Sequence, residues 1–402
     1  MDIRRLCLPV LLALVLAGCG PESEVSRLVR SIETPAARGS GQPNLALGAD
    51  GKLYLSWIEP AGAGHALRFA TWRGDRWSEP RTIATGDDWF VNWADFPSLA
   101  ASSDGTLLAH WLTRRGAGGY SYDVRLALSR DGGRSWSESF SPHDDLTETE
   151  HGFVSIVPRP DGGFDVVWLD GREMAIDGLG HSTGAGAMTL RSTVVGVDGG
   201  MTAASLIDGR VCDCCSTDAV RAGGALVVAF RDRSEAEIRD IATVRAEADG
   251  WSASRLVRRD DWKISGCPVN GPALAARDDS LACAWFTAAD QTPRVHVAFS
   301  PDGGSSFGEA VSVDGGRPTG RVDLVLLDDG SAVVSWLERG SLYLRWVAAA
   351  GPRSEPLFAA RTGDARAVGF PRLALLENEI FLAWTEPGEP PRVRTGLLPA
   401  RY

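Results

Sequence analysis

The sequence has little that would set it across a membrane, on nucleic acid or among helical proteins. Beyond the first twenty residues no stretch is apolar enough to span a bilayer as a helix, which takes about 20 residues. Basic residues are outnumbered, 41 against 52 acidic ones, and the net charge of −11 argues against the basic face that nucleic acid requires. Helical periodicity is almost missing, whereas period-two alternation is common, as in Leu53-Tyr54-Leu55-Ser56-Trp57. Paired Cys-x-x-Cys motifs are missing, and tyrosine is scarce, with 5 in 402 residues. What these absences leave is an all-β chain with an acidic, soluble surface.

The N-terminus is of a different kind. Arg4 and Arg5 precede an apolar run from Leu6 to Leu16, the layout of an export signal. Leu16-Ala17-Gly18-Cys19 resembles the lipobox of bacterial lipoproteins. That resemblance implies a signal peptide over 1–18, lipid on Cys19 and a membrane anchor through it. Gly20, where an Asp would retain the protein at the inner membrane, implies the outer membrane. Residues 19–38 read as anchor and tether, and 39–402 as one folded unit, expected to be a monomer.

Internal repetition defines that unit. A short apolar stretch, a Gly/Asp turn and a strand ending in an aromatic recur seven times. The aromatics are Trp57, Trp111, Trp168, Phe230, Trp285, Trp336 and Trp384, spaced 48 to 62 residues apart. That spacing suits a four-stranded propeller blade, so the expected fold is a single all-β propeller of seven blades rather than six. The last repeat holds only three strands. Ser26 to Ser31 resembles the fourth strand of repeat four, and a strand near 26–34 is expected to close the ring and cover a sheet edge.

Two segments share the pattern Ser-x-Asp-x-Gly-x-x-Trp/Phe: Ser129 to Trp136 and Ser300 to Phe307. They resemble the Asp-boxes of sialidase-like propellers, which are structural turns and speak to fold rather than function. Short Gly/Asp turns populate one face of such a ring. The other face collects the long loops and their chemistry: Asn92 to Asp95, His151, Asp170-Gly171-Arg172-Glu173, Arg231-Asp232-Arg233, Arg239-Asp240, Trp262 and Arg321 to Asp323.

Arg172, Arg231, Arg233, Arg239 and Arg321, with Asp95 and Trp262, are the expected ligand-binding set, since guanidinium forks suit carboxylates and sulfates. Brace pairs between Arg231 or Arg233 and Asp170 or Asp240 are the other reading of these charges. The sialidase resemblance implies three arginines, a tyrosine nucleophile and an acid/base aspartate. The chain departs from it by lacking the Phe/Tyr-Arg-Ile-Pro motif, and of its tyrosines only Tyr120 and Tyr122 fall near the loaded face. Asp170 and Asp232 are the candidate acid/base residues for a glycosidase. The reading adopted is an envelope-anchored propeller that binds an anionic glycan, with glycoside hydrolysis as the alternative.

Cys212-Asp213-Cys214-Cys215 and Gly266-Cys267-Pro268 lie in consecutive inter-blade loops. In an exported protein four loop cysteines point first to two disulfides, with three pairings open. The other reading is a thiolate site for copper or zinc, with His151 or His181 as a further ligand. No other cofactor is expected.

Overall fold

Each repeat folds as an antiparallel sheet of four strands running outward from a central axis, and seven such blades close a ring. The computed structural model describes residues 28–116, 119–176 and 182–401, so the signal segment, Cys19, Ser26, Arg27 and His181 lie outside the described residues. The blades cover residues 41–86, 99–140, 151–211, 218–256, 273–312 and 318–361, with the seventh built from 372–399 and the N-terminal strand. In the second blade the outermost strand is reduced to one bridge between Leu126 and Phe140. Among the described residues there is no α-helix, only two single 3-10 turns.

Closure occurs as expected, shifted along the chain. Arg30–Ile32 pairs with Arg392–Pro399, with Arg30 opposite Leu397 and Ile32 opposite Thr395. Ile32 sets this register because it is the apolar residue of the strand. It is buried in one cluster with Leu45, Leu55, Val393 and Leu397. Deleting residues 28–34 removes that side chain and leaves the Arg392–Pro399 edge unpaired. We expect a loss of about 3–5 kcal/mol from burial and ladder bonds together. Urea unfolding would measure it, and light scattering would report the aggregation that a bare edge invites.

The recurring aromatics have a physical reason. Trp57, Trp168, Trp285 and Trp336 are fully buried between blades. A buried indole N–H left without a partner costs about 1–3 kcal/mol. In three blades a carboxylate two residues on, hence on the same face of the strand, accepts it: Trp57 Nε1 donates to Glu59 at 2.7 Å, Trp168 to Asp170 at 2.8 Å and Trp336 to Glu338 at 2.9 Å. Trp285, followed by Thr287, instead donates to Asp260 of the preceding loop at 2.7 Å. The same carboxylates then hold the loops above. Glu338 accepts the backbone N–H groups of Gly315 and Arg317, both at 2.9 Å.

The two Ser-x-Asp-x-Gly turns close alike, each between third and fourth strands. Asp131 Oδ1 accepts the N–H of Arg134 and Ser135 at 2.9 Å, and Ser129 Oγ accepts Gly133 N–H at 2.8 Å. Asp302 and Ser300 repeat the pattern with Ser306 and Gly304. Trp136 then packs edge-on against Phe69 of the neighbouring blade.

Candidate functional site

On the long-loop face a cavity of about 440 Å³ opens at the axis. Six inter-blade or strand-two-to-three connections and the innermost strand of the sixth blade build it. The connections supply Trp93, Tyr120 and Tyr122, Glu150, Asp213 with Cys214, Cys267 and Arg366, and the strand supplies Arg321. A smaller cavity of about 160 Å³ continues along the axis between the innermost strands, lined by Asp95, Asp218 and Arg372.

Asp95 is buried in the lining of the smaller cavity. Its Oδ1 accepts the N–H of Phe153 at 2.9 Å. Gly152 makes this approach possible, because a Cβ there would stand 2.0 Å from Asp95 Oδ2. Burial pushes the Asp95 carboxyl up to about 7, against the Phe153 bond and the Tyr122 phenol, which lower it. Glu150, at the start of the third blade, is pushed up to about 8 by burial first and then by the charges of Asp213 and Asp95. Tyr122, buried beside both, is held well above the ordinary phenol range by burial and by Glu150 and Asp95. On this wall of the mouth Glu150 therefore holds its proton more tightly than an ordinary carboxyl.

The opposite wall is cationic. Arg321 is buried, adopts a positive φ of 55° and stacks its guanidinium 4.4 Å above the Trp93 ring. Its Nη1 donates to the carbonyl of Gly369 at 3.0 Å. Burial and then the neighbouring Arg366 push it down to about 10. Arg366 is exposed at the rim, and neither guanidinium forms an ion pair among the described residues.

Most of the expected ligand set is placed elsewhere, for one reason: the guanidiniums are satisfied inside the protein. Arg172 forks onto Asp170, with Nε and Nη2 both at 2.8 Å, and reaches Asp145 at 3.1 Å. Arg231 is spent on the carbonyls of Asn270, Arg239 and Phe286, with Trp262 stacked beneath it at 4.9 Å. Trp262 is thus a buried partner, not an exposed platform. Arg233 and Arg239 both clamp Glu237, at 2.9 and 2.8 Å. The two candidate acid/base residues do not come together at the mouth: Asp170 is a buried Trp168 acceptor, and Asp232 lies outside the cavity lining. Arg321 lines the mouth and Asp95 the smaller cavity.

The cysteines converge, but not as disulfides. Cys212 Sγ stands 3.2 Å from Cys215 and 3.8 Å from Cys214, well beyond a sulfur–sulfur bond, and all five described cysteines are free thiols. Beside the mouth, His143 and His151 stack at 4.0 Å within a buried group that includes Asp123 and Asp145. Glu150 was not singled out by sequence reasoning. The one signal for it was its place immediately before an innermost strand, in phase with the Cys212–Cys215 loop of the next blade.

Fold and site together define a seven-bladed β-propeller with a loop-built, two-sided pocket at the axis. No protein-family model matches the chain, and no curated protein matches it by sequence. Solved structures do. The polysaccharide lyase Uly1 superposes with a TM-score of 0.56 over 90% of both chains at 9% identity. An α-L-arabinanase of Penicillium chrysogenum, solved with arabinobiose, gives 0.49 over 93% of this chain and 97% of its own at 13% identity. The NanB sialidase of Streptococcus pneumoniae gives 0.44 over 92% and 70%, also at 13% identity. At these identities the likeness is one of fold.

Proposed function

We propose that the central mouth binds an acidic saccharide, and that the protein presents this pocket from the cell envelope through lipid on Cys19. The observation that carries the reading is the pair Arg321 and Arg366. Two guanidiniums line one cavity with no ion pair to either among the described residues, close enough that one lowers the other. A carboxylate or sulfate of the ligand supplies the missing charge. Across the cavity, the protonated Glu150 and the Tyr122 phenol face the sugar as hydrogen-bond donors, and Tyr120 offers an exposed ring at the rim. The fold shared with a polysaccharide lyase agrees with a saccharide ligand.

The test uses Arg366→Ala, because the side chain is exposed and its loss leaves the fold intact. Calorimetric titration with glucuronate- or galacturonate-containing trisaccharides should show binding by the native protein and at least ~10-fold weaker binding by the variant, the scale of one charge-assisted contact. A neutral trisaccharide should bind weakly and equally to both. Equal affinity of the two proteins for the acidic sugars would sink the proposal.

A further inference from the structure

The Cys212–Cys215 turn is not used by the saccharide reading, and its geometry is unusual. Three sulfurs issue from four consecutive residues at the junction of the third and fourth blades and lie within 4.8 Å of one another. Cys212 and Cys215 are buried, and Cys214 is half-buried. Cys267 comes from the next inter-blade loop and is exposed. It contacts Cys214, and its sulfur, the Cys214 sulfur and an Asp213 oxygen also fall within 4.8 Å of each other.

Distances and charge point the same way. Four sulfurs around a tetrahedral ion at about 2.3 Å stand about 3.8 Å apart. The separations of 3.2 and 3.8 Å within the turn are near that edge, and Cys267, which stands beside Cys214, moves inward to complete the set. The surroundings are built for negative sulfur. Arg239 Nη1 lies 3.3 Å from Cys212 Sγ and 3.1 Å from Asp213 Oδ1, and Arg239 is itself buried. Arg239 also holds Glu237 at 2.8 Å, so its approach to Cys212 Sγ is an additional contact, one that a thiolate strengthens and a neutral disulfide does not. A bound cation then balances the charge of the cluster.

We propose that Cys212, Cys214, Cys215 and Cys267 bind one soft d10 cation, zinc(II) or copper(I). Three ligands come preassembled on one turn, and Cys267 closes the site from the neighbouring loop. Because Cys214 and Cys267 also line the mouth, the ion ties two of the pocket's loops together. This inference is independent of what the pocket binds.

The experiment takes the full chain, fully reduced and metal-free, and titrates it anaerobically with zinc(II) and with copper(I), each against a chromophoric chelator. Cobalt(II) serves as a spectroscopic probe of zinc-type geometry. One equivalent of zinc or copper should bind tightly, and the relative affinities decide which ion the site prefers. Bound cobalt should show the intense visible bands of a tetrahedral thiolate site. Cys267→Ser removes one exposed ligand and should weaken binding by ~100-fold or more. Cys283→Ala, a buried cysteine of the fifth blade, should leave it unchanged. Failure of the reduced protein to bind either ion tightly would overturn the proposal. So would tight binding indifferent to Cys267→Ser. Circular dichroism of the variants confirms that a lost site is not a lost fold.

Discussion

Asp170→Ala is expected to destabilise the protein by about 3–5 kcal/mol, the scale for breaking a buried ion pair. Asp170 is fully buried and accepts from Trp168 Nε1 and from the backbone and both fork nitrogens of Arg172, all within 3.1 Å. Removing it strands an indole N–H in the core and a guanidinium beside Asp145 and His151. Asp170→Asn should recover part of the loss, since an amide oxygen still accepts the indole N–H. The pH dependence follows from the carboxylate's state. Burial alone would raise its affinity for protons, but Arg172, the neighbouring His151 and Trp168 together hold it below the ordinary carboxylate value. A group depressed on folding stabilises above its unfolded value and loses that contribution as the pH falls through the folded one. The gap between native protein and Asp170→Asn should therefore be widest near neutrality and narrow in acid. A gap that stays constant from pH 7 to pH 3 in urea titrations would contradict the ionised brace.

What was legible in the sequence was whatever repeats. Seven aromatics in phase specify seven blades, since each must be buried against the next sheet. An apolar Ile32 upstream of the first blade supplies the missing edge. What was not legible was the direction a charged side chain takes. Arg231 and Arg321 both follow or open buried strands, and both read as ligand-binding forks. One is closed in by carbonyls from the next inter-blade loop and the fifth blade, while the other faces the axis. No local pattern separates them, because two of the three carbonyl partners of Arg231, those of Asn270 and Phe286, lie 39 and 55 residues away in the chain. Asp170 could have been recognised as structural from its spacing. Trp57–Glu59, Trp168–Asp170 and Trp336–Glu338 form a series that assigns the carboxylate to the indole. Glu150 had no such series. Its proton affinity is made by burial and by Asp95 and Asp213, which arrive from loops on either side. The cysteines were legible as a cluster, but their spacing does not say whether sulfur meets sulfur or stands apart around a shared centre.

Arg231→Met is expected to cost as much as losing Asp170, about 3–5 kcal/mol, though no carboxylate is involved. Arg231 is only 2% exposed, and its guanidinium donates to Asn270 O at 2.9 and 2.8 Å, Arg239 O at 2.6 Å and Phe286 O at 2.7 Å. Methionine fills much of the same volume, so the loss isolates the unpaired carbonyls from any cavity. Arg231→Lys should recover little, because one ammonium cannot span acceptors that the planar fork reaches from several nitrogens. The effect should also reach the mouth. Asn270, whose carbonyl Arg231 holds, accepts the backbone N–H of Arg321 through Oδ1 at 2.6 Å, and Cys267 lies three residues before it. Freed of Arg231, the loop over 267–270 should exchange its amide hydrogens faster, even at temperatures where the blades remain folded. Thermal unfolding reads the first effect and hydrogen exchange the second. A loss below about 1 kcal/mol, with exchange over 267–270 unchanged, would mean that the carbonyls do without this guanidinium. Arg231 would then return to the residues available for binding an anion.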